Sequence, residues 1–200
     1  MPVGDCITRG MPVVDALNVL IALRQDNQIV VTNQASARIW PKLSQHPLDF
    51  HYNPSTMGGA IPLALGLAIA QPQRQVLVVS GDGSLLMSLG ALVSVVGAGV
   101  TNLTIVVLDN GMYEVTGGQK TAAARISLDF AGLALAAGFA TAIGFQDLAE
   151  WQSVAPSVLS LPGPRFISLE VEPTPREYLA GGTPPLDEQL ARLRQALDAT

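Results

Sequence analysis

The sequence predicts a three-layer α/β/α fold around a mainly parallel central sheet. Strand-like and helix-like segments alternate along the 200 residues, as expected when right-handed crossovers feed a parallel sheet. Two strand segments, 75–80 and 103–108, are unbroken apolar runs, which suits strands covered by helices on both faces. The composition is 48% hydrophobic but only 5% aromatic, so the core is aliphatic and fits helices packed on a sheet. The length fits one domain spanning 1–200.

The elements follow from local signals. Residues 12–24 form a helix with Val14, Leu17, Leu20 and Ile21 on its apolar face. Residues 29–32 are a β-branched strand, and 35–43 a short helix ending near Pro47. A strand is expected at 50–52. Gly58 and Gly59 open a small-residue helix over 60–70 that stops before Pro72. Strand 75–80 is broken by Gly81-Asp82-Gly83, and a helix is expected over 84–96. After strand 103–108 comes a glycine-punctuated loop over 109–118. A helix over 127–137, a strand over 139–143 and a helix over 147–159 with a break at Pro156 lead to the last strand, 166–171. Residues 186–197 close the chain as an amphipathic helix with Leu186, Leu190, Leu193 and Leu197 on one stripe.

Composition also bounds function. The net charge is −5 and no basic run occurs, which argues against nucleic acid as a partner. The lone Cys6 forms no internal disulfide, in keeping with a reducing compartment. The start is too polar for a signal peptide. No run of about 18 uninterrupted apolar residues exists to span a membrane. A cytoplasmic protein is expected.

The strongest functional feature is Val-Ser-Gly-Asp-Gly-Ser at 79–84. Glycines at a strand–helix turn let phosphate oxygens approach the main chain, and the following helix presents amides and a favourable dipole to an anion. Asp82 would repel a bare phosphate, and a divalent metal between them removes the conflict. The second feature, Leu-Asp-Asn-Gly-Met-Tyr-Glu at 108–114, follows the next buried strand. Asp82 and Asn110 therefore emerge at neighbouring strand ends, where a carboxylate, an amide oxygen and a backbone carbonyl suit magnesium. No Lys or Arg lies between Arg74 and Lys120, so a phosphate site here relies on metal, amides and hydroxyls. Rival phosphate motifs fail: Leu86 stands where a dinucleotide fingerprint needs its third glycine, and Gln119 separates Gly118 from Lys120. The bland alternative is that Gly81-Asp82-Gly83 is only a turn.

These residues resemble the diphosphate-binding domain of thiamine diphosphate enzymes, whose signature is Gly-Asp-Gly followed one crossover later by asparagine. The likeness extends to Asn53–Ala68, and over 109–119 it narrows to sulfopyruvate decarboxylase β subunits and the C-terminal part of phosphonopyruvate decarboxylases. The resemblance implies a thiamine diphosphate-binding fold of the diphosphate-binding type, with thiamine diphosphate and Mg2+ as cofactors. Asp82, the Asn110 side chain and the Met112 carbonyl would bind the metal. Gly81, Gly83 and Ser84 would lie against the diphosphate, with Asn33 and Gln34 reaching toward it. Met57 would support the bend of the cofactor, and the Ser55 carbonyl would accept from its amino group. Tyr113, Glu114 and Gln119 would border the substrate, and Lys120 stands where relatives commonly have proline. His51 is open to a proton-transfer role or a structural one, and a structural or surface role is expected for it and for His46.

The reaction so implied is decarboxylation of a small 2-oxo acid such as sulfopyruvate or phosphonopyruvate. The activating glutamate of the family lies on a separate pyrimidine-binding domain. None of Glu114, Glu150, Glu170, Glu172, Glu177 and Glu188 sits in a segment resembling it. A hetero-oligomer with a pyrimidine-domain α subunit is therefore expected, with a homodimer open to the isolated chain. Alternatives that keep the cofactor are a subunit of an acetolactate synthase-like carboligase or of a 2-oxo acid oxidoreductase. A non-catalytic binding module, or a generic α/β nucleotide-binding protein, stands in a different class.

Overall fold

The computed structural model describes residues 10–198. Cys6 and the polar start lie outside the described residues. The helices are α1 (Val13–Ala22), α2 (Ser36–Leu43), α3 (Ala60–Ala70), α4 (Asp82–Leu86), α5 (Gly90–Gly97), α6 (Phe130–Ala137), α7 (Leu148–Ser160), α8 (Arg176–Leu179) and α9 (Leu186–Asp198). The strands are β1 (Ile29–Asn33), β2 (Asp49–Tyr52), β3 (Val76–Gly81), β4 (Leu103–Asp109), β5 (Met112–Tyr113), β6 (Gln119–Lys120), β7 (Thr141–Phe145) and β8 (Arg165–Glu170).

Six strands form one sheet in the order β2-β1-β3-β4-β8-β7, and every neighbouring pair is parallel. β5 and β6 form a separate antiparallel pair. The side chains of the inner strands alternate between two cores. Val31, Val78 and Ile105 join α3, α5 and α6 on one face. Val30, Val79 and Val106 join α1, α2 and α7 on the other. This double burial is why β3 and β4 read as continuous apolar runs.

The order of the strands locates the site. From β1 the chain crosses to β2 on one side; from β3 it crosses to β4 on the other. The sheet therefore has a switch point between β1 and β3, and a crevice opens there beyond the carboxyl ends of the strands. Asn33 ends β1 and Asp82 follows β3 directly. Gly81 pairs with Leu108 across β3 and β4, so the segments after both strands share one rim.

Several boundaries differ from the sequence expectations. The helix expected over 84–96 begins at Asp82 and is interrupted at 87–89. Gly58, at φ +83°, lies so close that a Cβ there would be 2.8 Å from the Ser88 Cβ, and Gly90 adds a residue of low helix propensity. The loop expected over 109–118 contains the β5–β6 hairpin and a 3₁₀ turn at Glu114–Thr116. The helix expected from 127 starts at Phe130, because the Asp129 side chain accepts from Gly132 N at 2.8 Å and caps it. The strand expected at 139–143 runs from Thr141 to Phe145. Gly138 ends α6 in the left-handed conformation, and Phe139 is used as a core residue before the strand begins. Pro156 lies inside α7 without ending it.

The α9 stripe is also revised. Leu193 is buried, but Leu190 is 44% exposed, and Gln189 takes the inward position. Its Oε1 accepts from the backbone N of His51 at 2.8 Å. β2 is an edge strand, so an outward-facing amide there needs an acceptor from outside the sheet, and Gln189 provides one. Among the described residues no helix is long and apolar enough to cross a membrane.

Candidate functional site

A cleft opens at the switch point, lined by Gln34, Met57, Asp82, Ser84, Asn110 and Met112 among others. Asp82 is 1% exposed. Burial, and after it the charge of Asp109, pushes its carboxyl up to about 7. Burial also raises Asp109 above the usual carboxylate range. The Asp82 carboxylate accepts from the Gly83 amide, and its Oδ2 accepts from the Thr121 hydroxyl at 3.1 Å. Asn110 turns its Oδ1 toward its own loop and accepts from Met112 N at 3.0 Å. Burying the Asp82 carboxylate within reach of a second acidic charge is costly without a cation.

The opposite wall carries hydroxyl and amide donors. Ser84 Oγ accepts from Asn33 Nδ2 at 3.1 Å and from Gly58 N at 3.0 Å. With both acceptor positions taken, the Ser84 hydroxyl has one hydrogen left to donate, and it lines the cleft. Asn33 itself is fully buried and stands behind Ser84; its Oδ1 has no partner among the described residues. Ser36 fixes the turn after β1 by donating to Val79 O at 2.8 Å. Gln34, at φ +54°, extends Nε2 to Ser55 Oγ at 2.8 Å. Ser55 is thus tied to the rim through Gln34, while Met57 reaches the cleft wall.

Gly81 leaves open space where a Cβ would stand, whereas a Cβ on Gly83 would lie 2.5 Å from the Tyr113 ring. Only Gly83 is required for shape, because it lets Tyr113 lie across the turn; Gly81 leaves the cleft floor bare. Glu114 is engaged elsewhere. Its Oε1 accepts from Thr174 N at 2.6 Å and its Oε2 from the Thr174 hydroxyl at 2.7 Å, which latches the 112–116 segment to the chain after β8. Gln119 and Lys120 are exposed on β6.

His51 lies away from this chemistry. Its Nδ1 meets the Thr32 hydroxyl at 2.9 Å, and burial, then Arg192 and Arg24, lower its pKa to about 4. It is a neutral structural histidine joining β1 to β2. His46 accepts from Leu48 N through Nδ1 at 3.2 Å in a turn. The features around Asp82 and Tyr113 that sequence reasoning missed are the charge of Asp109, Thr121 and the Glu114–Thr174 latch. Asp109 stands inside the quoted motif; the partners of the other two are distant in sequence.

Residues 30–169 match the family described as "Thiamine pyrophosphate enzyme, C-terminal TPP binding domain". The chain belongs to this family. Among relatives of this thiamine pyrophosphate-binding chain, phosphonopyruvate decarboxylase of Streptomyces viridochromogenes is 35% identical over 159 residues, 79% of this chain and 39% of that protein. Sulfopyruvate decarboxylase subunit beta of Methanothermobacter thermautotrophicus is 34% identical over 160 residues, 80% of this chain and 82% of the subunit. The chain thus spans well under half of the first relative and most of the second. A solved structure from Mycobacterium smegmatis, described as a thiamin diphosphate-dependent enzyme, superimposes with a TM-score of 0.69 at 22% identity, over 82% of this chain and 32% of that one. This likeness concerns the fold.

Proposed function

We propose that this chain is the diphosphate- and magnesium-binding β-type subunit of a thiamine diphosphate-dependent 2-oxo acid decarboxylase, acting on a sulfopyruvate- or phosphonopyruvate-like substrate. The observation that carries this reading is the pair Asp82 and Asn110, set after adjacent inner strands on one cleft. The donor set fits a hard cation: a carboxylate, an amide oxygen and the Met112 carbonyl, with diphosphate and water completing the shell. The Ser84 hydroxyl fits a diphosphate oxygen.

In this reading Asp82, Asn110 and the Met112 carbonyl hold the metal. Ser84 donates to the diphosphate, and Asn33 and the Gly58 amide fix the Ser84 hydroxyl. Met57 and Tyr113 cover the cleft and limit water. Bound thiamine diphosphate supplies the electron sink for loss of carbon dioxide from the 2-oxo acid. The activating carboxylate comes from a pyrimidine-domain α subunit, and the active site forms at the interface. Two observations support this division: Glu114, the glutamate lining the cleft, already holds Thr174, and a relative 34% identical over 80% of this chain is named as a beta subunit.

The test is calorimetry with thiamine diphosphate and Mg2+, followed by decarboxylation assays with and without the α subunit. Binding by the complex that is lost in Asp82→Ala, with turnover of sulfopyruvate or phosphonopyruvate only when both chains are present, is the expected result. Absence of cofactor binding by the assembled complex would overturn the reading.

A further inference from the structure

We propose that Thr121 is a positioning residue that sets the spacing of the divalent metal site; this rests on the reading of Asp82, Asn110 and Met112 as its ligands. Thr121 is 0% exposed and lies 39 positions from Asp82 in sequence. Its hydroxyl touches two groups. It accepts from Ala124 N at 3.3 Å, which directs its hydrogen to Asp82 Oδ2 at 3.1 Å. Its backbone N donates to Gly111 O at 2.9 Å, and Gly111 is the residue between Asn110 and Met112.

One residue therefore grips both halves of the site, the carboxylate after β3 through its side chain and the loop after β4 through its main chain. The hydroxyl bond to Oδ2 also holds the carboxylate in one orientation toward the ion. Groups that orient metal ligands in this way affect affinity strongly, and their removal typically costs roughly 10–100-fold. The β5–β6 pairing of Met112 with Lys120 places Thr121 at the point where the hairpin returns to the cleft.

The probe is Mn2+, followed by electron paramagnetic resonance on the chain assembled with its α subunit, with thiamine diphosphate present. Thr121→Val keeps the shape and the backbone donor but removes the hydroxyl; Thr121→Ser restores it. The expected result is a loss of about tenfold or more in Mn2+ affinity for the valine variant and near-normal affinity for the serine variant. Equal Mn2+ affinity in wild type, Thr121→Val and Thr121→Ser overturns the proposal. If the valine variant does not fold, Thr121→Ala replaces it in the same comparison with Thr121→Ser, and equal affinity again overturns the assignment. Asp82→Ala separates the two levels. If it abolishes Mn2+ binding while Thr121→Val does not weaken it, only the positioning role fails; if the wild type binds no Mn2+, the metal reading and the positioning role both fail.

Discussion

Asp82 is buried within reach of the charge of Asp109, each standing at the carboxyl end of one of two neighbouring inner strands. Burial and that neighbour raise Asp82 from 3.8 to about 7. Because the folded state then holds the proton more tightly than the unfolded one, the stabilisation is complete below the unfolded value and is lost as pH rises through about 7. The metal-free chain should therefore lose stability across this window relative to Asp82→Asn. Melting temperatures in chelator from pH 5 to 8 check this; a constant difference between the two proteins contradicts it. A proton on Asp82 also competes with a metal, so Mg2+ binding should weaken as pH falls below about 7.

Tyr113 and Gly83 form a second pair that predicts a specific suppression. A methyl at position 83 would sit 2.5 Å from the Tyr113 ring, and such overpacking typically costs about 1–3 kcal/mol. Gly83→Ala should destabilise the chain by about that amount, and adding Tyr113→Ala should recover part of it. Denaturant titration of the two single variants and the double variant measures the coupling. Strict additivity would show that the ring does not press on the glycine.

His51 predicts the opposite pH sign to Asp82. Its pKa is lowered from 6.5 to about 4, so its contribution is present above 6.5 and is lost as pH falls toward 4. The wild type should lose more stability than His51→Asn between these values, measured by thermal melting in chelator. Equal losses would mean that the imidazole is not held neutral.

Glu114 should behave as a latch. Its carboxylate accepts both the backbone and the hydroxyl hydrogen of Thr174. Glu114→Ala leaves the buried Thr174 amide without its acceptor, at a cost of about 1–3 kcal/mol. Glu114→Gln, which keeps one acceptor oxygen, should cost less. Chemical denaturation checks both; no loss in the alanine variant contradicts the latch.

Much of this was legible in the sequence, for physical reasons that also mark where legibility ended. β3 and β4 were visible because helices cover both of their faces, and that forces unbroken apolar runs. Asp82 and Asn110 were visible because each follows such a run beside a glycine, where a polar residue has no core role. Thr121 and Thr174 were not: each gains its role from a partner 39 or 60 positions away, and threonine in a polar loop carries no local signal. The β5–β6 hairpin is only two residues per strand, too short for an alternating pattern. The error in α9 has a similar origin. Leucine spacing favoured Leu190, but the amide of His51 on the edge strand required an acceptor, and Gln189 turned inward instead.

The account rests on one ion shared between Asp82 and Asn110. The direct measurement is a crystal structure of the chain, with its partner, grown in Mg2+ and thiamine diphosphate. The predicted result is a single six-coordinate ion about 2.1 Å from an Asp82 carboxylate oxygen, the Asn110 amide oxygen and the Met112 carbonyl, with the diphosphate on the same ion beside Ser84. A diphosphate bound elsewhere, or an ion touching only one of the two side chains, would contradict it.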